Sequence, residues 1–173
     1  LTTEPLPPRP ADLRELLTPL VRHGVDFVLV GGMAGISHGS NYPSYDLDVV
    51  YARNRDNIAR LVEALREIGV GLRGAPADLP FVLDAKTIEN GSNFTFDTPH
   101  GDFDILGHAD GMPGYDELKA EAPVREILGL EVRVASIDHL IAMKRAANRP
   151  KDKLMVEEYI VLADEQRKAD RGE

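Results

Sequence analysis

Asp46 and Asp48 stand two residues apart at the head of an apolar run, Asp46-Leu47-Asp48-Val49-Val50. Side chains on a strand alternate with period two, so both carboxylates would share one face while Leu47 and Val49 turn to the other. Hard divalent cations such as Mg2+ take oxygen ligands and are usually held by one or two carboxylates together with substrate phosphates. Two such ions can stabilise the attacking and leaving oxygens of an in-line phosphoryl displacement. Taken alone, a D-x-D is more often the start of a half-exposed strand. A second acidic pair, Asp102 and Asp104 in GDFDIL, repeats the pattern on another expected strand, with Phe103 and Ile105 on the opposite face. A third carboxylate from that strand would complete a metal-binding triad. The alternative is a hairpin whose solvent face carries two acids.

Gly31-Gly32 follows the apolar run Phe27-Val28-Leu29-Val30. A glycine pair there permits close backbone approach and leaves N–H groups free for phosphate oxygens. It is neither a P-loop nor a dinucleotide fingerprint. Lys144 lies one helical turn after Leu140, so its stem can follow the packed face while its ammonium reaches a triphosphate. A lone helical lysine is ordinarily just solvated. His38, His100 and His108 show no H-x-x-E-H or H-E-x-x-H spacing, which sets a histidine-based phosphohydrolase well behind a carboxylate site.

The elements that must position these residues read as follows. An amphipathic helix covers Pro10 to Arg22, with Leu13, Leu16, Leu17, Leu20 and Val21 on one stripe and Gly24 at its end. A strand over Phe27 to Val30 leads into the glycine turn and a short helix from Met33 to His38. After the loop of Asn41, Pro43 and Ser44 comes the second strand. A helix spans Arg55 to Ile68, capped by Asn54 and ended by Gly69. Gly71 to Pro80 reads as a loop and Phe81-Val82-Leu83 as a short strand. Asn93 to Asp97 and Asp102 to Leu106 form a hairpin around Thr98-Pro99-His100-Gly101. A helix over Tyr115 to Ala122 precedes a second hairpin, Val124 to Leu128 and Glu131 to Val134. Ser136 caps a helix over Ile137 to Ala147, Pro150 interrupts it, and a last helix runs from Lys151 to Gln166. This order predicts an α/β (α+β) fold with a mixed sheet flanked by helices. The expected organisation is a disordered lead-in over 1–10, a core over 11–135 and a C-terminal helical segment over 136–173 packed on it.

At 173 residues and 43% hydrophobic, the chain suits one compact domain. It has no cysteine, which excludes disulfides, thiolate metal sites and a catalytic thiol. No apolar run approaches the roughly 20 residues of a membrane span, and the proline-rich opening lacks a signal-peptide profile. The expectation is a cytoplasmic protein without a membrane partner. The net charge of −9 argues against a non-specific nucleic-acid binder. A local basic run near the C-terminus, Lys144, Arg145, Arg149, Lys151 and Lys153, leaves room for a local RNA contact, though a solvated helix end is its simpler reading.

The combination of apolar strand, Gly-Gly, spacer and Asp-apolar-Asp-apolar, here LVGG, Met33 to Tyr45 and DLDV, resembles the signature of the DNA polymerase β-like nucleotidyltransferase superfamily. Phe103-Asp104-Ile105 matches the context of that family's third carboxylate, with Asp102 as the fallback. GDFDIL, VRVASIDHLIAMKRAANRPKD and the final helix resemble the AbiEii and MenT group of bacterial nucleotidyltransferases, many of them toxin components. The likeness covers Leu13 to Ala163. It implies a nucleotidyltransferase fold, metal at Asp46, Asp48 and Asp104, and activation of the acceptor hydroxyl by Asp104. Gly31, Gly32, Ser44 and Lys144 would meet the nucleotide, and Asp152 would orient Lys144 or Arg149. His38-Gly39 matches a pair that shapes a loop. Two positions depart from the family pattern: Gly32 stands where serine is frequent, and Tyr42 where arginine is.

The resulting expectation is a Mg2+-dependent enzyme, with Mn2+ as a substitute, that binds ATP or another NTP. It would move a nucleoside monophosphate to an RNA or tRNA 3′ end, a protein such as an antitoxin, or a small molecule. A toxin–antitoxin role is part of that expectation. The rival readings are a catalytically silent nucleotide- or partner-binding module of the same fold and a metal-dependent phosphohydrolase.

Overall fold

The computed structural model describes residues 9–173, and most of the expected lead-in over 1–10 lies outside them. The first helix, α1 (Leu13–Arg22), starts later than the sequence pattern suggests because Asp12 caps it, its carboxylate accepting from the Glu15 N–H at 3.2 Å. Leu16, Leu17 and Leu20 supply its buried face. The central strand pair follows: β1 (Phe27–Val30), buried throughout, runs antiparallel to β2 (Leu47–Tyr51).

Between them the glycine pair departs from expectation. It is not a turn but the first turn of α2 (Gly31–Ser37), which leaves β1 without any intervening loop. Gly31 has φ +70°, a left-handed conformation that permits this abrupt strand-to-helix change. The following helix, α3 (Arg55–Ile68), agrees with the sequence at both ends: Asn54 caps it and Gly69 closes it at φ +81°.

The stretch after α3 holds the main corrections. The expected loop over 71–80 opens with a two-residue strand, β3 (Gly71–Leu72). The expected strand at Phe81-Val82-Leu83 does not form, and Val82 is 64% exposed. Asp84 instead caps α4 (Ala85–Asn90), accepting from the Thr87 N–H at 2.8 Å. The sheet edge that such a strand would need is taken by β3, which pairs with β4 (Phe94–Asp97). The hairpin of β4 with β5 (Phe103–Leu106) forms as expected.

The five strands line up as β1-β2-β5-β4-β3, mixed because β2 and β5 are parallel and the other pairs antiparallel. Leu47, Val49, Phe103 and Ile105 are fully buried, which turns Asp48 and Asp104 to the other face. The chain continues through α5 (Tyr115–Ala120) and the separate hairpin β6 (Val124–Ile127) and β7 (Leu130–Arg133). It then enters α6 (Ile137–Ala147), capped by Ser136, and α7 (Pro150–Arg171). Proline is tolerated at the first position of α7, where its missing N–H has no intrahelical partner. The helix continues past Gln166 to a glycine cap at Gly172. The fold is thus a mixed sheet flanked by helices. Among the described residues, no helix is long and apolar enough to cross a membrane.

Candidate active site

Register on the sheet builds the acidic wall. Asp48 on β2 sits directly beside Asp104 on β5, with Leu47 beside Phe103 in the same pairing. Asp46 precedes β2, in the approach to the strand rather than within it, and lines the same cleft. This cleft, of about 720 Å³, brings together Gly31, Gly32, Ser44, Asp46, Asp48, Asp104 and Lys144, the residues expected to meet metal and nucleotide. Asp102 does not line it. Its carboxylate is near Arg73, with Nε 3.4 Å away.

The glycines are required by close packing. A Cβ on Gly31 would lie 2.2 Å from Asp48 Oδ2, and one on Gly32 would lie 2.6 Å from Ser44 Oγ. The start of α2 therefore presses against the acid on β2 and the serine on the loop before it. Ser44 itself reaches back toward the Asp46 carbonyl at 3.5 Å. The space that a side chain at 32 would take is filled from residue 44.

Burial and mutual repulsion work on the acids together. Asp48 is pushed up to about 7, first by desolvation and then by the charges of Asp104 and Asp46, with Lys144 opposing. Asp104 is raised as well, chiefly by burial, against the pull of Arg73. Three carboxylate-bearing side chains, turned into one cleft and short of countercharge, form a donor set of hard oxygens. That set fits a divalent cation of the Mg2+ kind.

The opposite wall comes from α6 and α7. Lys144 lies on α6, and Arg149 and Lys151 sit at the start of α7, all three lining the cleft. Asp152, with its side chain fully buried, ties the first two together. Its carboxylate accepts from Arg149 Nε at 2.7 Å and from the Arg149 backbone N–H at 3.1 Å, and Lys144 Nζ lies 3.3 Å away. Burial alone would raise Asp152, but these bonds outweigh it and hold the carboxyl below its usual range. Asp152 thus orients both Lys144 and Arg149. The basic run is split by the helices: Arg145 lines a separate groove with Asp138 and Arg167, and neither it nor Lys153 faces the cleft.

Several residues in and beside the cleft lie outside the set expected from the sequence. Asn93 uses Oδ1 to accept from the Gly107 and His108 N–H groups at 3.0 and 3.3 Å, fixing the loop beyond Asp104. Tyr42, Tyr45, Leu106, Asp110 and Met143 complete the walls. Arg73 donates to Asp104 Oδ1 at 2.5 Å from a stretch that reads as plain loop. The histidines stand apart. His38 Nε2 donates to the Ala135 carbonyl at 2.8 Å and Nδ1 lies 2.9 Å from Gln166 Nε2, so it is a buried structural residue held down in pKa by desolvation. Neither His100 nor His108 lines the cleft. A second acidic grouping, Glu117, Glu121 and His139, lies between α5 and α6, and none of its members lines the cleft.

No family model matches the chain, and no curated protein matches it in sequence. Solved structures do match in shape. The lincosamide antibiotic adenylyltransferase LnuA, solved with lincomycin bound, aligns over 89% of this chain and 99% of its own at 12% identity, with a TM-score of 0.59. The antibiotic-resistance factor ANT(2'')-Ia aligns over 89% and 82% at 15% identity, with a TM-score of 0.55. A Thermotoga maritima protein described as a nucleotidyltransferase aligns over 86% and 89% at 14% identity, with a TM-score of 0.53. None of these three is described as a member of the AbiEii or MenT group. At such identities the likeness speaks for architecture: the chain has the nucleotidyltransferase fold.

Proposed function

We propose that the protein is a nucleotidyltransferase that moves a nucleoside monophosphate from an NTP to a hydroxyl of a small-molecule acceptor, releasing pyrophosphate. The observation that carries this reading is the pairing of Asp48 with Asp104 on adjacent parallel strands, across one cleft from Lys144 and Arg149. Acids that would hold metal and cations that would hold a polyphosphate face the same space.

Asp46, Asp48 and Asp104 would hold the divalent cation, Mg2+ or Mn2+. When bound, such a cation neutralises phosphate-oxygen charge as it builds toward the transition state. Lys144 and Arg149 would bind the triphosphate, and the bare backbone at Gly31 and Gly32 lets a phosphate approach closely beside Ser44. Asp104 would take the proton of the acceptor hydroxyl as its oxygen bonds to the α-phosphorus and the bond to the leaving pyrophosphate breaks. Most of the catalysis is then positioning and charge complementarity.

Two observations support a small acceptor. The C-terminal basic residues do not form one surface along which RNA could track, since three of the five face into the cleft. The neighbour LnuA was solved with the small molecule lincomycin bound. The test is transfer from NTP labelled at the α-phosphate into separate pools of small metabolites, RNA and cell protein, with Asp48→Asn run alongside. Label in the small-molecule pool that needs Asp48 is expected. Label on RNA or protein would replace the acceptor class, including the case of an antitoxin. NTP consumed without a labelled acceptor would favour a phosphohydrolase, and binding without turnover a silent module.

A further inference from the structure

Arg73 does not line the cleft, yet its guanidinium bridges β4 and β5 beside the acidic wall. One Nη donates to Asp104 Oδ1 at 2.5 Å and to the Phe96 carbonyl at 2.9 Å. Its Nε lies 3.4 Å from Asp102 Oδ2. The backbone dictates this reach. Arg73 N–H donates to the Thr95 carbonyl at 3.0 Å, Thr95 is opposite Asp104, and Asp104 is beside Asp48. Arg73, Thr95, Asp104 and Asp48 therefore form one row across the sheet. From the end of β3 the arginine side chain crosses β4 to reach the acid on β5.

We propose that Arg73 is a positioning residue that fixes the Asp104 carboxylate, binding Oδ1 from the β4 side so that Oδ2 is the oxygen left for the cleft. The inference rests on the nucleotidyltransferase reading, in which Asp104 meets metal and acceptor. The terminal torsion of an aspartate is broad, and an unanchored Asp104 would rotate freely at the cleft edge. A planar guanidinium already held by the Phe96 carbonyl removes that freedom, which a point-charge ammonium would do less well. Lys144 and Arg149 do not substitute, because both sit against Asp152 on the other wall. The same geometry carries an opposing effect. The positive charge beside Asp104 disfavours a divalent cation on the acids, so Arg73 sharpens geometry at the expense of metal affinity.

That opposition makes the role testable. Wild type, Arg73→Gln and Arg73→Lys are compared by Mn2+ binding without nucleotide, followed by electron paramagnetic resonance, and by steady-state label transfer. Arg73→Gln should bind Mn2+ about fivefold tighter, because a unit charge beside the acids is gone. Its kcat at saturating Mn2+ should fall about tenfold or more, with KM for NTP within about twofold. Arg73→Lys should keep Mn2+ affinity near wild type while kcat stays reduced. A merely structural arginine would weaken Mn2+ binding and slow transfer together, and that result overturns the proposal. So does an unchanged kcat in Arg73→Gln. Should Arg73→Gln not fold, Arg73→Lys decides: lowered kcat with wild-type Mn2+ affinity upholds the role, and wild-type kcat removes it. If wild type itself neither binds Mn2+ nor transfers label, the nucleotidyltransferase reading has failed and the proposal falls with it. Mn2+ binding and transfer by wild type with an indifferent Arg73 isolates the failure to this inference.

Discussion

The acidic wall on the sheet and the basic wall on α6 and α7 differ in how their charges are balanced. On the helices, the buried Asp152 accepts from Arg149 and pairs with Lys144, so the two cations are held in place with one of their two charges balanced. On the sheet, Asp46, Asp48 and Asp104 have Arg73 at one end and the charges of Lys144 and Arg149 across the cleft, yet burial and the neighbouring acids still push Asp48 up to about 7. One wall has its buried charge paired internally, and the other leaves a buried carboxylate that favours a proton or a cation. The difference separates structural charge from functional charge within a single cleft, and it predicts opposite responses to mutation.

The largest effect belongs to the unbalanced wall. Asp48→Asn should reduce transfer by more than about 100-fold, the scale of losing a group that stabilises the transition state. The melting temperature of the metal-free protein should be equal or slightly higher, because one of several mutually repelling carboxylates has gone. Asp46→Asn should behave alike. Transfer assays beside thermal melts check both, and a melting temperature that drops sharply would make the acids structural and erase the contrast.

Asp152→Asn should do the reverse. Removing a fully buried charge that holds two cations breaks an internal pair, which typically costs 3–5 kcal/mol. Arg149 is more than half exposed and can resolvate, so a loss of about 3 kcal/mol is the expectation. Urea unfolding measures it. Near-zero loss would show that the helical wall is no better built than the sheet wall.

The contrast extends to pH. Asp48 titrates near 4 when unfolded and near 7 in the fold, so the native state keeps its proton longer. Its stabilising contribution is fully present below about pH 4 and is lost as pH rises to about 7. Asp152 has the opposite sign: its depressed pKa contributes above its unfolded value and is lost as pH falls. The melting-temperature advantage of Asp48→Asn over metal-free wild type should therefore widen from about pH 4 to pH 7. Saturating Mg2+ should cancel or invert it, since only wild type can exchange the proton for the cation. An advantage that is flat across this range would contradict the raised pKa.

How much of this was legible beforehand depended on range along the chain. Asn54, Gly69 and Ser136 announce helix ends through bonds a few residues away: α3 begins and ends, and α6 begins, where those residues say. The alternation of acids with Leu47, Val49, Phe103 and Ile105 likewise marks which face each side chain takes. What alternation does not carry is register: the parallel pairing of Asp48 with Asp104 joins residues separated by two helices and two other strands. Phe81-Val82-Leu83 looked like a strand because it is apolar, but a strand needs a partner edge, and β3 holds that edge. For the same reason Arg73 gave no signal. One arginine in a loop becomes part of the site only once β3 lies beside β4.

Lys144 offers the finest distinction between the walls, because it belongs to both kinds of charge. Its ammonium is 3.3 Å from Asp152, yet Asp152 keeps the Arg149 guanidinium at 2.7 Å and the Arg149 backbone N–H at 3.1 Å without it. Lys144→Ala should consequently cost under about 1 kcal/mol in unfolding, the range of an ion pair that is not the sole partner of the buried acid. As a triphosphate contact it should matter more: the apparent KM for NTP should rise about tenfold with kcat less affected, near the value of one charge-assisted bond. Lys144 would thus be structurally dispensable but needed for substrate, the reverse of Asp152 one helix away. An unchanged KM would remove Lys144 from the nucleotide site, and a large stability loss would assign it to the scaffold with Asp152.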